Sequence, residues 1–272
     1  MGDRILNHRN SVSFVCLIAS LLITAAVASA QTIDLNDMRV KVQTRAREMT
    51  IGRQASRRFE RTARLVKDPA VLAYVDGIAQ TVARNSDSAV PITIKVVDST
   101  EVNAFSYPGG FLYINSGLIA AVDDEAEIAA VIAHEIAHVV ARDGMRDSRY
   151  LGTTSNGNSP IVADSGGYLV PLRGVTSPRE TAADSRAIQY LQKAGYDSTA
   201  IVRFLQRMQA TEPAQFESVL VMFQTHPPTA ERIRLVQEQI DHSAPAGTLK
   251  APGAGELQKI KTIILQLSTP RE

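Results

Sequence analysis

The chain has 272 residues, 44% of them hydrophobic and 21% charged, with a net charge of +1. That length holds one large domain or two small ones, and the composition is that of an ordinary soluble globular protein rather than a disordered or fibrous one. The near-neutral balance argues neither for nor against nucleic acid, but no long basic tract, zinc-knuckle spacing or aromatic-interleaved basic strand suggests a nucleic-acid module, and no nucleic-acid partner is expected.

In chain order, residues 1–30 read as a targeting segment. Arg4, His8 and Arg9 make a basic start, Val12 to Val27 is apolar, and Ala28-Ser29-Ala30 precedes Gln31. Basic region, apolar core and small-residue cleavage site in that order predict a secretory signal peptide, cut near Ala30. The mature protein is then expected to be periplasmic or secreted. The one cysteine, Cys16, lies inside this segment, so the mature chain has neither a disulfide nor a thiolate ligand. Beyond residue 30 the sequence has no apolar run long enough to span a bilayer.

Residues 31–67 predict a basic, helical N-terminal segment. Ten Lys or Arg from Arg39 to Lys67 stand against Asp37, Glu48 and Glu60, which suits a solvated helix face or a contact with anionic lipid or an acidic partner. A catalytic domain is expected over 68–242. Asp68-Pro69 starts a helix whose apolar face is Val71, Leu72, Val75, Ile78, Ala79 and Val82. From Pro91 the period changes to two, and 91–98 predicts a strand. Phe111 to Ile114 predicts another, after the turn Pro108-Gly109-Gly110.

Asp123-Asp124-Glu125-Ala126-Glu127 opens a long helix. Asp124 and Glu127 have the spacing of a capping box, and acids suit the positive end of the helix dipole. Its body, Ile128 to Ala141, is apolar almost all round and therefore buried, with Gly144 as the expected stop. Residues 144–178, rich in Gly, Ser, Thr and Pro, read as a long loop or lid. Helices follow from Ser177-Pro178 to Gly195, over about 198–210 and over 229–241, and 243–272 is a tail with a last short element at Leu257 to Leu267.

Within the buried helix lies His134-Glu135-Ile136-Ala137-His138. Histidines four apart share one helix face and can bind one zinc ion, with the intervening glutamate placed to act on a water as general base. A catalytic zinc takes three protein ligands. Besides His8, in the targeting segment, the remaining histidines are His226 and His242. The best acidic candidate for the third ligand is Glu180. Asp184, one turn further along the same face, is placed to accept a hydrogen bond from the far nitrogen of a ligand histidine and so to fix its orientation.

The run Asn103-Ala104-Phe105-Ser106-Tyr107-Pro108-Gly109-Gly110, then Gly117-Leu118, Glu125-Ala126-Glu127, the HExxH helix, Glu180-x-x-Ala183-Asp184, and His226-Pro227-Pro228 with Arg232, resembles metallopeptidase family forty-eight. These are the HExxH gluzincins that include HtpX-type, CAAX prenyl and Oma-type proteases. Ile51-Gly52-Arg53, Asp68-Pro69 and Tyr74-Val75 bring the chain nearest to the soluble periplasmic BepA/LoiP-like branch. The resemblance covers about residues 48 to 240. It implies zinc, one per chain, on His134, His138 and Glu180, with Glu135 as base and proton shuttle. It further implies His226 beside the metal, Asp184 and Arg232 as supporting residues, and Asn103 and Ala104 on a strand that binds substrate backbone. The chain departs from the family pattern in lacking a tetratricopeptide repeat pattern and the transmembrane helices of membrane members. The 41 residues between His138 and Glu180 also hold a Gly/Ser-rich stretch where relatives place more apolar, helical material.

The resulting expectation is an α+β, mainly helical, zincin-like catalytic domain with three or four strands beside the HExxH helix. Its function would be a zinc endopeptidase clearing unfolded or misassembled envelope proteins, with the outer-membrane assembly machinery or a membrane surface as further partners. Substrate would add as a strand along the sheet edge that includes Phe111 to Ile114. The alternatives are a latent, chaperone-like zinc protein that holds clients with little turnover, and a non-peptidase zinc hydrolase.

Overall fold

A computed structural model describes residues 35–146, 177–210, 226, 229–243 and 254–268. The expected signal peptide and the Gly/Ser-rich stretch before residue 177 lie outside the described residues. The chain divides into two units. In the first, residues 1–44, the described part is helical from Leu35. The second, residues 45–272, carries everything below. No helix among the described residues is long and apolar enough to cross a membrane.

Helix α1 (Leu35–Phe59) turns Ala55, Ser56 and Phe59 inward. From residue 45 onward α1 belongs to the second unit. Asp68 then caps α2 (Pro69–Arg84), its side chain accepting from the amides of Ala70 at 2.9 Å and Val71 at 3.1 Å. Proline opens the helix, where its missing N–H costs nothing. The predicted apolar face is buried at Val71, Val75, Ile78, Ala79 and Val82, with Leu72 partly buried against the same core. Each of the buried valines and Ile78 contributes about 1.5–3 kcal/mol in leaving water.

Strands β1 (Thr93–Val97), β2 (Ala104–Tyr107) and β3 (Phe111–Asn115) form one sheet in the order β1-β3-β2. β1 runs parallel to β3, and β2 runs antiparallel to it. This corrects the expected substrate edge. β3 is the central strand, with both sides already paired, so the edge nearest the HExxH helix is β2. The Asn115 amide donates to the Asn103 carbonyl at 2.9 Å. By antiparallel alternation, the backbone groups of Ala104 and Ser106 then face away from β3.

Period-two alternation gives the sheet two apolar faces. Val96, Ala104, Leu112 and Ile114 join the main core with the helices. Val97, Phe105, Tyr107 and Tyr113 close on Phe59 of α1 in a second cluster. There Phe59 meets the Tyr113 ring edge-on at 4.8 Å and the Phe105 ring at 5.2 Å, a geometry aromatic quadrupoles favour.

After the short α3 (Ser116–Ala121) comes α4 (Glu125–Ala141), which carries both HExxH histidines. The Asp124 side chain accepts from the Glu127 amide at 3.0 Å, and Glu127 accepts back from the Asp123 amide at 3.2 Å. Ile128, Ile132 and Ile136 are fully buried, as an all-round apolar helix requires. The helix stops at Arg142, two residues before the expected glycine. Arg142 takes a left-handed conformation, φ 58° and ψ 34°, rare for a residue with a Cβ. A single turn, α5 (Asp143–Arg146), follows.

Helix α6 (Ser177–Ala194) packs along α4 and ends at Gly195, whose φ of +78° makes the C-terminal turn. Helices α7 (Ala200–Ala210) and α8 (Ala230–Asp241, capped by Thr229) complete the helical layer. The segment expected as a tail contains α9 (Ala254–Ser268), which buries Leu257, Ile260 and Ile264 in the main core.

Candidate metal centre

One atom from each of His134, His138, Glu180 and His226 lies within 4.8 Å of the others. Helix α4 supplies the first two, α6 supplies Glu180, and His226 precedes α8. Among the described residues this set combines three imidazoles with one carboxylate. His134 Nε2 and His138 Nε2 face each other at 3.0 Å. Glu180, fully buried, sets its oxygens 3.2 Å from both.

The outer nitrogens of the two rings decide which inner atoms carry lone pairs. His134 Nδ1 lies 2.9 Å from Asp184 Oδ1, and His138 Nδ1 lies 2.9 Å from Asp143 Oδ2. A carboxylate can only accept, so each Nδ1 carries a proton, and in the neutral ring each Nε2 then presents its lone pair inward. Two imidazole lone pairs and a carboxylate then converge on one point, an arrangement that needs a cation at its centre. The donor set fits zinc, which takes nitrogen and oxygen ligands in a small tetrahedral shell. Glu180 Oε1, buried and without a hydrogen-bond donor of good geometry, fits the same conclusion.

The surrounding carboxylates favour any positive charge at that point, a proton on the rings as well as a metal ion. Burial pushes the His138 ring down, but the Asp143 and Glu180 carboxylates outweigh it and raise the ring to about 10. His134 is likewise raised against its burial by Glu180 and Asp184. Burial works to raise the Glu180 carboxyl, yet the charges of His226 and His134 hold it far below the usual range. Asp184 is lowered against its burial by His134 and Arg232. The pocket thus favours positive charge at its centre and negative charge on its wall.

Arg232 anchors that wall. It is 2% exposed. Its Nε and Nη2 donate to the two oxygens of Asp184, each at 2.8 Å, and Nη1 lies 2.9 Å from Glu180 Oε2. This is the fork geometry in which arginine meets a carboxylate best. Glu135, on the same helix as the two histidines, is 3% exposed. Its Oε1 lies 3.4 Å from His226 Nε2, and its Oε2 accepts from the Ser106 hydroxyl at 2.9 Å. His226 Nδ1 lies 3.0 Å from Glu180 Oε2.

A cavity of about 430 Å³, counting its open mouth, adjoins these groups. His134, Glu135 and His226 form its polar wall, and Phe204, Leu205 and Met208 of α7 form its apolar one. Arg203 holds α7 to Asp124 at 2.8 Å, and Arg207 holds it to Glu127 at 3.0 Å. Asn103 and Ala104 stand apart from this cavity. They are buried at the start of β2, and Asn103 Oδ1 has no hydrogen-bond partner among the described residues.

Two residues of the site were not singled out in the sequence, Asp143 and Ser106. Asp143 follows the second histidine by five positions, which a helical reading places off its face. Ser106 lies in the strand segment that carries the family resemblance, with nothing local to link it to Glu135.

The sequence profile of Peptidase family M48 matches residues 69–240. The beta-barrel assembly-enhancing protease of Yersinia pestis is 27% identical over 263 residues, covering 85% of this chain and 54% of that protein. Metalloprotease LoiP of Escherichia coli is 25% identical, covering 80% of this chain and 87% of that protein. The mitochondrial metalloendopeptidase OMA1 of Schizosaccharomyces pombe is 27% identical, covering 62% and 53%. The chain spans about half the length of the assembly-enhancing proteases it matches.

Proposed function

The chain belongs to Peptidase family M48, and on that premise we propose that it is a zinc endopeptidase of the cell envelope that cleaves misfolded or misassembled proteins. One observation carries this reading: a buried carboxylate, Glu135, stands beside a converging set of inward lone pairs. A site built only to bind zinc has no use for that group.

His134, His138 and Glu180 hold the metal. Zinc, when bound, polarises the scissile carbonyl and acidifies a water. Glu135 takes the proton of the attacking water and returns it to the departing amine. The Ser106 hydroxyl keeps one carboxylate oxygen occupied and so aims the other. His226, 3.4 Å from Glu135, donates to the oxygen on which charge develops. Asp184 and Arg232 hold His134 and Glu180 in place. Substrate backbone pairs with the outward groups of β2 at Ala104 and Ser106, beside Asn103, which accepts many sequences because the contacts are main-chain.

The names of the assembly-enhancing relatives support beta-barrel proteins caught in assembly as clients, and the signal-peptide pattern of residues 1–30 supports a periplasmic location after its removal. From residue 45 onward, α1 turns Arg45, Arg47, Arg53, Arg57 and Arg58 outward and Glu48 inward, which suits an anionic membrane surface.

The test is zinc content by elemental analysis, and cleavage of unfolded casein, for the chain from Gln31 beside Glu135→Gln. General-base catalysis contributes about 10²–10⁴-fold, so the variant should keep its zinc and lose cleavage by that factor. Undiminished cleavage by the variant removes Glu135 as base. A second reading, a latent holder of clients, draws on the place of His226 among the three other donors, where it fills the fourth position. A time course on unfolded substrate with and without chelator separates the two, because a holder binds without chelator-sensitive turnover.

A further inference from the structure

We propose that Glu48, on α1, is a positioning residue for the metal site, acting through Arg142 and Asp143 on His138. The inference rests on the reading of His138 as a zinc ligand. Glu48 is 2% exposed, although it lies 94 residues before Arg142 and far from the HExxH motif in sequence. Its Oε2 meets Arg142 Nε at 2.7 Å, while Oε1 accepts from the Gly109 amide at 3.4 Å. A buried carboxylate needs partners of this kind, and here one partner is the residue that ends the metal helix.

Arg142 is the one non-glycine residue with a positive φ among the described residues. Left to itself, an arginine there would revert to a helical or extended conformation. The ion pair with Glu48 holds its side chain and so favours the left-handed turn. That turn is what redirects the chain immediately after α4. It brings the next residue, Asp143, back against the helix, where Oδ2 lies 2.9 Å from His138 Nδ1. An uninterrupted helix would carry residue 143 some 500° past residue 138 and away from its ring.

The α1 side of this chain of contacts is equally fixed. A Cβ on Gly52 would stand 1.6 Å from the Pro108 carbonyl oxygen, and one on Gly109 would stand 2.7 Å from Met49 Cα. The backbone of α1 therefore lies directly on the β2–β3 turn, and Glu48 reaches Arg142 from a rigid base.

Orientation of a ligand histidine by a hydrogen-bonded carboxylate is worth about 10–100-fold in metal affinity. The experiment measures zinc affinity by competition with a chromogenic chelator in Glu48→Ala, Asp143→Ala and the double variant. Each single variant should weaken zinc about tenfold, and the double should be no weaker than Asp143→Ala, since Glu48 acts through Asp143. Arg142→Gly added to Glu48→Ala should recover part of the loss, because glycine holds a positive φ without help. Additive losses in the double variant, or native zinc affinity in Glu48→Ala, overturn the inference and leave Glu48 as an anchor of α1. If Glu48→Ala does not fold, Glu48→Gln takes its place in the same cycle, with the same two outcomes. His138→Ala and the wild type are run alongside. A wild type that binds no zinc defeats the functional reading itself, whereas zinc binding with an additive cycle defeats only the role of Glu48.

Discussion

The Ser106 hydroxyl donates to Glu135 Oε2 at 2.9 Å, tying the edge strand of the sheet to the carboxylate in the middle of the HExxH motif. Ser106 also turns its backbone groups to the open side of β2. In the proposed mechanism the same residue thus meets both the substrate backbone and the base that acts on it. Ser106→Ala should lower kcat about tenfold to a hundredfold, the order of one hydrogen bond to a charged group, and leave zinc content unchanged. Loss of zinc with the hydroxyl would show that it serves the metal site instead.

Glu180→Ala removes the only carboxylate among the described residues that reaches both HExxH rings, at 3.2 Å from each. Zinc content should fall well below one per chain by elemental analysis. Glu180→Gln, which keeps the shape and drops the charge, should fall less. Full occupancy in the alanine variant would strike Glu180 from the ligand set.

Arg232 meets Asp184 with two hydrogen bonds and Glu180 with a third contact, all out of water. Its removal leaves two carboxylates buried with too few partners, a loss of about 3–5 kcal/mol. Arg232→Met should lower the melting temperature by roughly 10 °C. Arg232→Lys should recover only part of that, since an ammonium cannot present the planar fork. An unchanged melting temperature would contradict the anchoring role.

The Glu60 network makes stability depend on acid. Glu60 Oε1 receives Lys95 Nζ and the Tyr113 hydroxyl, each at 2.6 Å, and the Ser56 hydroxyl at 3.0 Å. Burial works to raise this carboxyl, but Lys95, Tyr113 and Ser56 outweigh it and hold it below its ordinary value of 4.5. A carboxyl lowered on folding stabilises the protein above its unfolded-state value, and that stability goes as pH falls through the lower folded value. Lys95→Met should therefore destabilise by up to about 1 kcal/mol at pH 7 and by less at pH 3.5. Urea midpoints at the two pH values measure the gap, and an equal gap at both would count against the network.

Much of the site was legible because its chemistry is local. His134 and His138 share a helix face by spacing, and so do Glu180 and Asp184. The Asp124 cap, Pro69 and the Gly195 stop follow the same local rules. What escaped depends on tertiary placement. Asp143 reaches His138 only because Arg142 leaves the helix with a positive φ, and no residue-type rule assigns that to arginine. Ser106 meets Glu135 across 29 positions of chain. The edge assignment failed differently. Phe111-Leu112-Tyr113-Ile114 is an unbroken apolar run, the mark of a strand covered on both faces, whereas Ser106 interrupts the run in β2. That signal was present, and it distinguishes centre from edge.

The strand order β1-β3-β2 leaves the outer side of β2 unpaired among the described strands, and substrate pairing there, as proposed, would set the currency in which clients are judged. Pairing there demands several consecutive residues free of any partner of their own. A well-folded client offers such a segment only during brief local openings, whose frequency falls about tenfold for each 1.4 kcal/mol of local stability. Turnover would then rank clients by how often they come undone. A protein caught short of its final assembly would be cut on sight, and the same sequence, once assembled, would be spared.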